Sequence, residues 1–238
     1  MAPFIWQILK NWVSMPLRIE SRPCVWTRGN RRVLTRSGIV LAGGSSTRLG
    51  EDKGLRLLAG KPLINYIVDK IRDHVDEVIV VVASEEQKEK YGQVLDVVVT
   101  DVYPEGSPLV GLLTGLSFCK GEYALVVACD MPFICDEAVE MLFAAAEGRD
   151  GAVFEKPNGW IEPLVAVYNV ETAVKEAERL YKEGDLRVRM IFLSLDDVSL
   201  IPVDQLRSVD PELYTFFDTD TEDLFCKADR ILRIMSKK

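Results

Sequence analysis

Binding a phosphate chain takes uncovered backbone N–H groups, hydroxyls and cations on one loop, and the stretch LAGGSSTRLGEDKG at residues 41–54 carries all three. Gly43 and Gly44 open backbone conformations closed to other residues and leave their N–H groups without a Cβ in front of them. Ser45, Ser46 and Thr47 add hydroxyls, while Arg48 and Lys53 put two cations on the same loop, so a polyphosphate is the expected guest. A plain strand-to-helix turn would explain the glycines but does not call for the cations. Two common phosphate loops are excluded by spacing. The GxxxxGK[ST] pattern fails because Leu49 stands five residues after Gly44, and the later Gly60-Lys61 precedes Pro62. The dinucleotide pattern GxGxxG is also missing after the first strand, which weighs against a Rossmann dehydrogenase.

Carboxylates supply the other half of the chemistry. Asp130 ends the apolar run YALVVACD; at the tip of a buried strand it is either an oxygen ligand for Mg²⁺ or a turn residue, with Asp136 the better helix cap. Asp101 follows the run VVVT and either accepts from guanine N–H groups or ribose hydroxyls, or starts the turn before Pro104. Asp218 and Asp220 in FFDTDTEDL read as further metal ligands or their neighbours, or as caps for the last helix. Arg187 and Arg189 either bind a substrate phosphate or solvate a helix face. His74, the single histidine, is expected at a helix end, and its isolation removes His-based zinc sites and Ser-His-Asp triads. The five cysteines, Cys24, Cys119, Cys129, Cys135 and Cys226, form no Cys-x-x-Cys pair and read as free thiols in a reducing cytosol. Strand alternation turns Cys129 away from the face that Asp130 uses.

The string LAGGSSTRLGEDKGLRLLAGKPL resembles the signature LAGGxSxRxGxDK followed by GKPL of nucleotidyltransferases that move an NMP onto a phosphate. Within that superfamily the chain most resembles the molybdenum cofactor guanylyltransferases. TDVYPEGSPLVG is similar to their acidic loop and xPLxG segment, ACDMPFI to CDxP, EPLVAVY to EPLxALY, and GDLRVRMIF to G-x-R-x-x-x-x-F/L. The resemblance implies that Leu41, Ala42 and Gly43 wrap the nucleotide and that Asp101 contacts GTP. It makes Lys53, helped by Arg48, the phosphate contact, and Asp130 the Mg²⁺ ligand. Cytidylyl relatives typically read LAAG, so Gly43 points to a guanine nucleotide, the lost Cβ leaving room for the larger ring. Glu162 before Pro163 either hydrogen-bonds a pterin-like ring or faces solvent. One departure stands out: FFDTDTEDL has aspartates where the family's NxNTPEDL has asparagines, and it lacks the proline. The implied reaction is attack by the terminal phosphate of molybdopterin on the α-phosphorus of GTP, with pyrophosphate leaving and no protein nucleophile. Cofactor insertion or delivery proteins are the implied partners. Rival readings are another acceptor phosphate, CTP in place of GTP, or a non-catalytic nucleotide-binding delivery protein.

These side chains need a frame that brings loops to one edge. Apolar runs at Gly38–Ala42, Glu77–Ala83, Asp96–Thr100 and Tyr123–Ala128 alternate with helical stretches near 62–74, 84–92, 109–119 and 135–147. That rhythm predicts a Rossmann-like three-layer α/β/α sandwich with a mostly parallel sheet. Right-handed crossovers then collect the loops at the strand C-termini, where such sheets bind ligands. Pro108 suits a first helical position. Beyond residue 150, Ala152–Phe154 and Glu162–Tyr168 read as a hairpin, and 170–183 and 221–235 as helices.

The 238 residues are 48% hydrophobic, enough for a real core, and contain no run of 18 apolar residues, so no spanning helix is expected. Net charge is −8, which argues against a protein that coats nucleic acid. The charge is unevenly placed: residues 1–36 hold seven basic residues against Glu20, a balance of +6, leaving −14 for residues 37–238. The chain therefore divides into a basic, Trp-bearing extension at 1–36, read as a loosely ordered arm or as residues upstream of a start at Met15 in preference to a membrane-surface or partner-binding segment, and one nucleotidyltransferase domain at 37–238.

Overall fold

The computed structural model describes residues 35–43, 52–95, 97–103 and 106–235. The expectations for residues 1–34, for the segment 44–51 with Arg48, and for Asp96 lie outside the described residues.

Seven strands form the main sheet in the order β5-β4-β1-β6-β8-β7-β9, where β1 is Arg36–Leu41, β4 Glu77–Val82, β5 Val98–Thr100, β6 Tyr123–Ala128, β7 Gly151–Glu155, β8 Ile161–Asn169 and β9 Val198–Pro202. β5, β4, β1 and β6 run parallel, β8 is antiparallel to both β6 and β7, and β7 is parallel to β9. The reversal has a local cause. β7 and β8 are joined through the Pro157-Asn158-Gly159 turn, in which Gly159 takes a φ of +75° and its N–H donates to the Lys156 carbonyl at 2.9 Å.

Apolar residues on both strand faces require two helical layers. Val40, Val80, Val82, Leu125 and Val127 face α1 (Leu63–Ile71) and α4 (Asp136–Ala146) in one core. Their alternates Ile39, Ile79, Val81, Ala124 and Val126 face α3 (Pro108–Phe118), α5 (Val170–Glu183) and α6 (Arg189–Ser194) in the other. α3 lies so close to β1 that a Cβ on Gly115 would stand 2.6 Å from Ile39 Cγ2. Among the described residues no helix is long and apolar enough to cross a membrane.

The main strands and helices fall where the sequence places them, shifted by a residue or two. Four short elements have no range in the sequence reading. β9 adds a strand at the far edge, α6 is a helix of six residues, and β2 (Leu57–Leu58) pairs with β3 (Lys61–Pro62) through Ala59 and Gly60, both at positive φ. Ala59 holds that backbone with its N–H on Asp229 Oδ1 at 2.8 Å, which ties the hairpin to α7 (Glu222–Met235).

Two expected caps are corrected. Cys135, not Asp136, is the N-cap residue of α4 and makes no side-chain cap bond; the Asp136 carboxylate instead takes Lys70 Nζ and His74 Nε2, each at 2.8 Å. Asp218 and Asp220 do not cap α7, because the Thr221 hydroxyl accepts from Leu224 N–H at 3.3 Å. His74 does end a helical segment, the 3₁₀ turn Arg72–His74, but its ring is held by Asp136 and Glu140.

Candidate active site

The tips of β1, β4, β5 and β6 meet along one edge, and hydrogen bonds between tips fix their spacing. Ala42 N–H donates to Val81 O at 2.8 Å, Asp101 N–H to Val82 O at 2.8 Å, and Cys129 N–H to Leu41 O at 3.0 Å. Because β8 runs the other way, its first residues, with Glu162, arrive at this same edge.

Lys53, in the 3₁₀ turn Lys53–Leu55, reaches across the edge and joins two distant segments. Its Nζ lies 3.0 Å from Asp130 Oδ2 and 2.6 Å from Asp220 Oδ1. The segment bearing Asp220 is pinned to the β6 tip by Thr219, fully buried, whose N–H and hydroxyl both donate to the Asp130 carbonyl, at 3.0 and 3.2 Å. Asp218 turns inward on its own backbone, accepting from Asp220 N–H at 3.1 Å.

Burial works against both charges of this group. It depresses the Lys53 ammonium, but Asp130 and Asp220 outweigh it and hold the lysine above its ordinary value, so the amine stays a cation at neutral pH. At Asp130 burial prevails over the neighbouring lysine and pushes the carboxyl up, with Asp220 adding to the rise. Asp130 Oδ1 is buried and has no hydrogen-bond partner, so one of its oxygens is unspent.

Asp101 is a second orphan. Its Oδ1 is also buried and unpartnered, and burial pushes its carboxyl up to about 6 against the tempering Thr114 hydroxyl. A Cβ on Gly111 would lie 3.5 Å from Leu41 Cδ2 and 3.6 Å from Asp101 Oδ1, so α3 faces these two residues with bare backbone. Ala42 is buried in the core. The missing side chain of Gly43 points elsewhere: a Cβ there would sit 3.0 Å from Ala83 N, so this glycine is required by the end of β4. Glu162 is partly buried and raised, first by burial and then by the fields of Asp130 and Asp218, against Leu164 N–H and Lys156.

The edge thus gathers Leu41, Ala42, Gly43, Lys53, Asp101 and Asp130, and adds Asp220 and Glu162. Other expected residues stand apart. Arg187 pairs with Asp185 at 2.6 Å on an exposed face, and Arg189 lies 5.1 Å over the Trp160 ring. Cys129 is a buried core thiol, pushed up by burial.

Three further residues went unread in the sequence. Asp52 accepts from the buried Tyr91 hydroxyl and from Gln87 Nε2, the latter at 2.7 Å, and both donors come from α2 (Glu85–Tyr91). Asp52 stands beside Lys53 in the motif, which was the available signal; its partners lie more than 30 residues away and carry none.

Residues 38–198 match the model of the MobA-like NTP transferase domain. A probable molybdenum cofactor guanylyltransferase of Methanosarcina mazei is 36% identical over 198 residues, covering 79% of this chain and 88% of the relative. A molybdenum cofactor guanylyltransferase of Desulfosudis oleivorans is 31% identical over 199 residues, covering 83% and 96%. Among solved structures, the molybdopterin-guanine dinucleotide biosynthesis protein A of Archaeoglobus fulgidus superposes with a TM-score of 0.73 at 29% identity, covering 83% of this chain and 99% of that one.

Proposed function

Since the chain belongs to the MobA-like NTP transferases, and among them to the molybdenum cofactor guanylyltransferases, we propose that this nucleotidyltransferase moves GMP from GTP onto the terminal phosphate of molybdopterin. An acceptor phosphate oxygen forms a bond to the α-phosphorus, the bond from that phosphorus to the α,β-bridging oxygen breaks, and pyrophosphate leaves. The observation that carries the reading is Lys53 set between Asp130 and Asp220 at one strand edge, with an unspent carboxylate oxygen on Asp130.

Each described residue then has a task that its position supports, and Arg48 one that the resemblance alone implies. Asp101 offers its unpartnered oxygen to the N–H edge of guanine, next to the backbone of Leu41, Ala42 and Gly43. Lys53, with Arg48 in support, offsets the charge that gathers on the departing pyrophosphate. Because Gly43 is fixed by packing on Ala83, the choice of guanine is better supported by Asp101 than by room at Gly43.

The donor set fits a divalent cation delivered by the nucleotide. Among the described residues no three carboxylate, imidazole or thiolate groups converge to hold a metal alone, whereas Asp130 Oδ1 and Asp220 can complete a shell begun by phosphate oxygens. Mg²⁺ bound there would neutralise charge shared between the α- and β-phosphates. Asp130 orients that charge, Lys53 shares it, and neither forms a covalent bond to substrate.

Cys119, Cys129, Cys135 and Cys226 are free thiols, which supports a reducing, cytoplasmic setting in which product passes to cofactor insertion or delivery proteins. The test is incubation with Mg²⁺, molybdopterin and each NTP in turn. Molybdopterin guanine dinucleotide and one pyrophosphate per turnover are expected with GTP, and Asp130→Asn is expected to cut the rate about 100-fold or more. Preference for CTP, or full activity of Asp130→Asn, would overturn the assignment.

A further inference from the structure

Lys53 is useful to a phosphate only if its turn is held in place, and the structure shows what holds it. Both carboxylate oxygens of Asp52, the preceding residue, are taken by α2: the Tyr91 hydroxyl donates to Oδ1 and Gln87 Nε2 to Oδ2 at 2.7 Å. Gln87 and Tyr91 are four residues apart, one turn along the same helix face. The turn also sits directly on the tyrosine, since a Cβ on Gly54 would run into the Tyr91 hydroxyl oxygen.

Gln87 has a second attachment. Its Oε1 accepts from Ala83 N–H at 2.8 Å, and Ala83 is the backbone against which Gly43 packs. The Ser84 hydroxyl caps the helix on Gln87 N–H at 3.2 Å, so the glutamine backbone is fixed too. One side chain therefore touches both the corner that seats Gly43 and the turn that carries Lys53.

We propose that Asp52, Gln87 and Tyr91 form a positioning latch that fixes Lys53 relative to Gly43, so that the two sides of the phosphate site are set before nucleotide arrives. The inference rests on reading Lys53 as a phosphate contact, but not on the identity of the acceptor. The three residues act through Lys53 and touch neither substrate. A lysine side chain has many rotamers to lose, and anchoring its backbone confines the ordering cost of binding to the side chain alone.

The test measures the affinity of the full chain for Mg·GTP by competition against labelled GTP, titrated into the millimolar range. Gln87→Ala places a strong helix former on a partly exposed helix, and Tyr91→Phe keeps the buried ring, so both variants are expected to fold. Each is expected to weaken Mg·GTP binding about fivefold to tenfold, a part of the effect of losing a hydrogen bond to a charged group, because Lys53 is loosened and not removed. In a Lys53→Ala background the same substitutions should weaken binding less than about twofold further, because the group they position is gone. Affinity for guanosine, which has no phosphates, should not move.

Unchanged Mg·GTP affinity in both single variants would overturn the latch. So would an equal further loss in the Lys53→Ala background, or an equal loss for guanosine, either of which marks a general structural effect. The acceptor assignment fails separately: a chain that shows this binding cycle yet makes no dinucleotide from molybdopterin keeps the latch and loses the acceptor. A wild-type chain that does not bind Mg·GTP overturns both.

Discussion

Two carboxylate oxygens at the strand edge are left without a protein partner. Asp130 Oδ1 and Asp101 Oδ1 are the only buried, unpaired carboxylate oxygens among the described residues. For Asp101 the cost has a pH signature. Its carboxyl titrates at about 6 in the fold against 3.8 without it, so the folded state holds an extra proton between these values. Stability therefore falls as pH rises from about 4 to about 6 and stays lowered above that. Asp101→Asn is expected to raise Tm at pH 8 and leave it nearly unchanged at pH 4, while weakening GTP binding about tenfold through the lost carboxylate. Melting curves at the two pH values with a GTP titration check this; a Tm lowered at pH 8 would contradict it. The two orphaned aspartates were legible in the sequence because each closes an apolar run. Asp220 was legible only as one member of an acidic pair, since sequence does not show that buried Thr219 fastens that segment to the β6 tip.

At the scale of elements, the contact between α1 and α4 is held by charge as well as by its apolar faces. Burial lowers the affinity of His74 for its second proton, but the hydrogen bonds of Asp136 and Glu140 outweigh it and raise the pKa. Lys70 on Asp136 and Arg36 on Glu140 complete the cluster. A raised histidine contributes stability in full below 6.5, and the contribution is lost as pH climbs through the folded value. His74→Ala is expected to lower Tm at pH 6 by about 2 °C, equivalent to about 0.5 kcal/mol after solvent screening, and by clearly less at pH 9. Equal losses at both values would sink the charge argument. Sequence placed His74 at a helix end but could not supply its partners, because Asp136 lies 62 residues away and reads locally as a cap. The short elements β2, β3, α6 and β9 were illegible for a related reason. Each is stabilised by tertiary contacts, as when Asp229 of α7 holds the positive-φ backbone of Ala59, and too few residues lie within them to show a period.

The whole molecule is organised around β1, β4 and β6, strands covered by helices on both faces. β6 is buried along its full length, and Ile39 and Val40 of β1 are fully buried. Amide hydrogen exchange is expected to be slowest there and faster in β9, an edge strand whose Leu200 is 49% exposed. Fastest exchange in β1 or β6 would contradict this ordering. The parallel half of the sheet was readable because strands buried on both faces show unbroken apolar runs. The β7–β8 pair was readable from its turn residues, but its order between β6 and β9 was not. That order has one more effect. Crossover helices dictate the length of every connection in the parallel half, whereas β7 reaches the ligand edge and hands over there to the reversed strand β8 through the tight turn at residues 156–160. A turn of that kind fixes the register of the strands it joins, so added or deleted residues there would shift β8 and the placement of Glu162. One side of the ligand edge is therefore set by crossover helices and the other by a single five-residue turn.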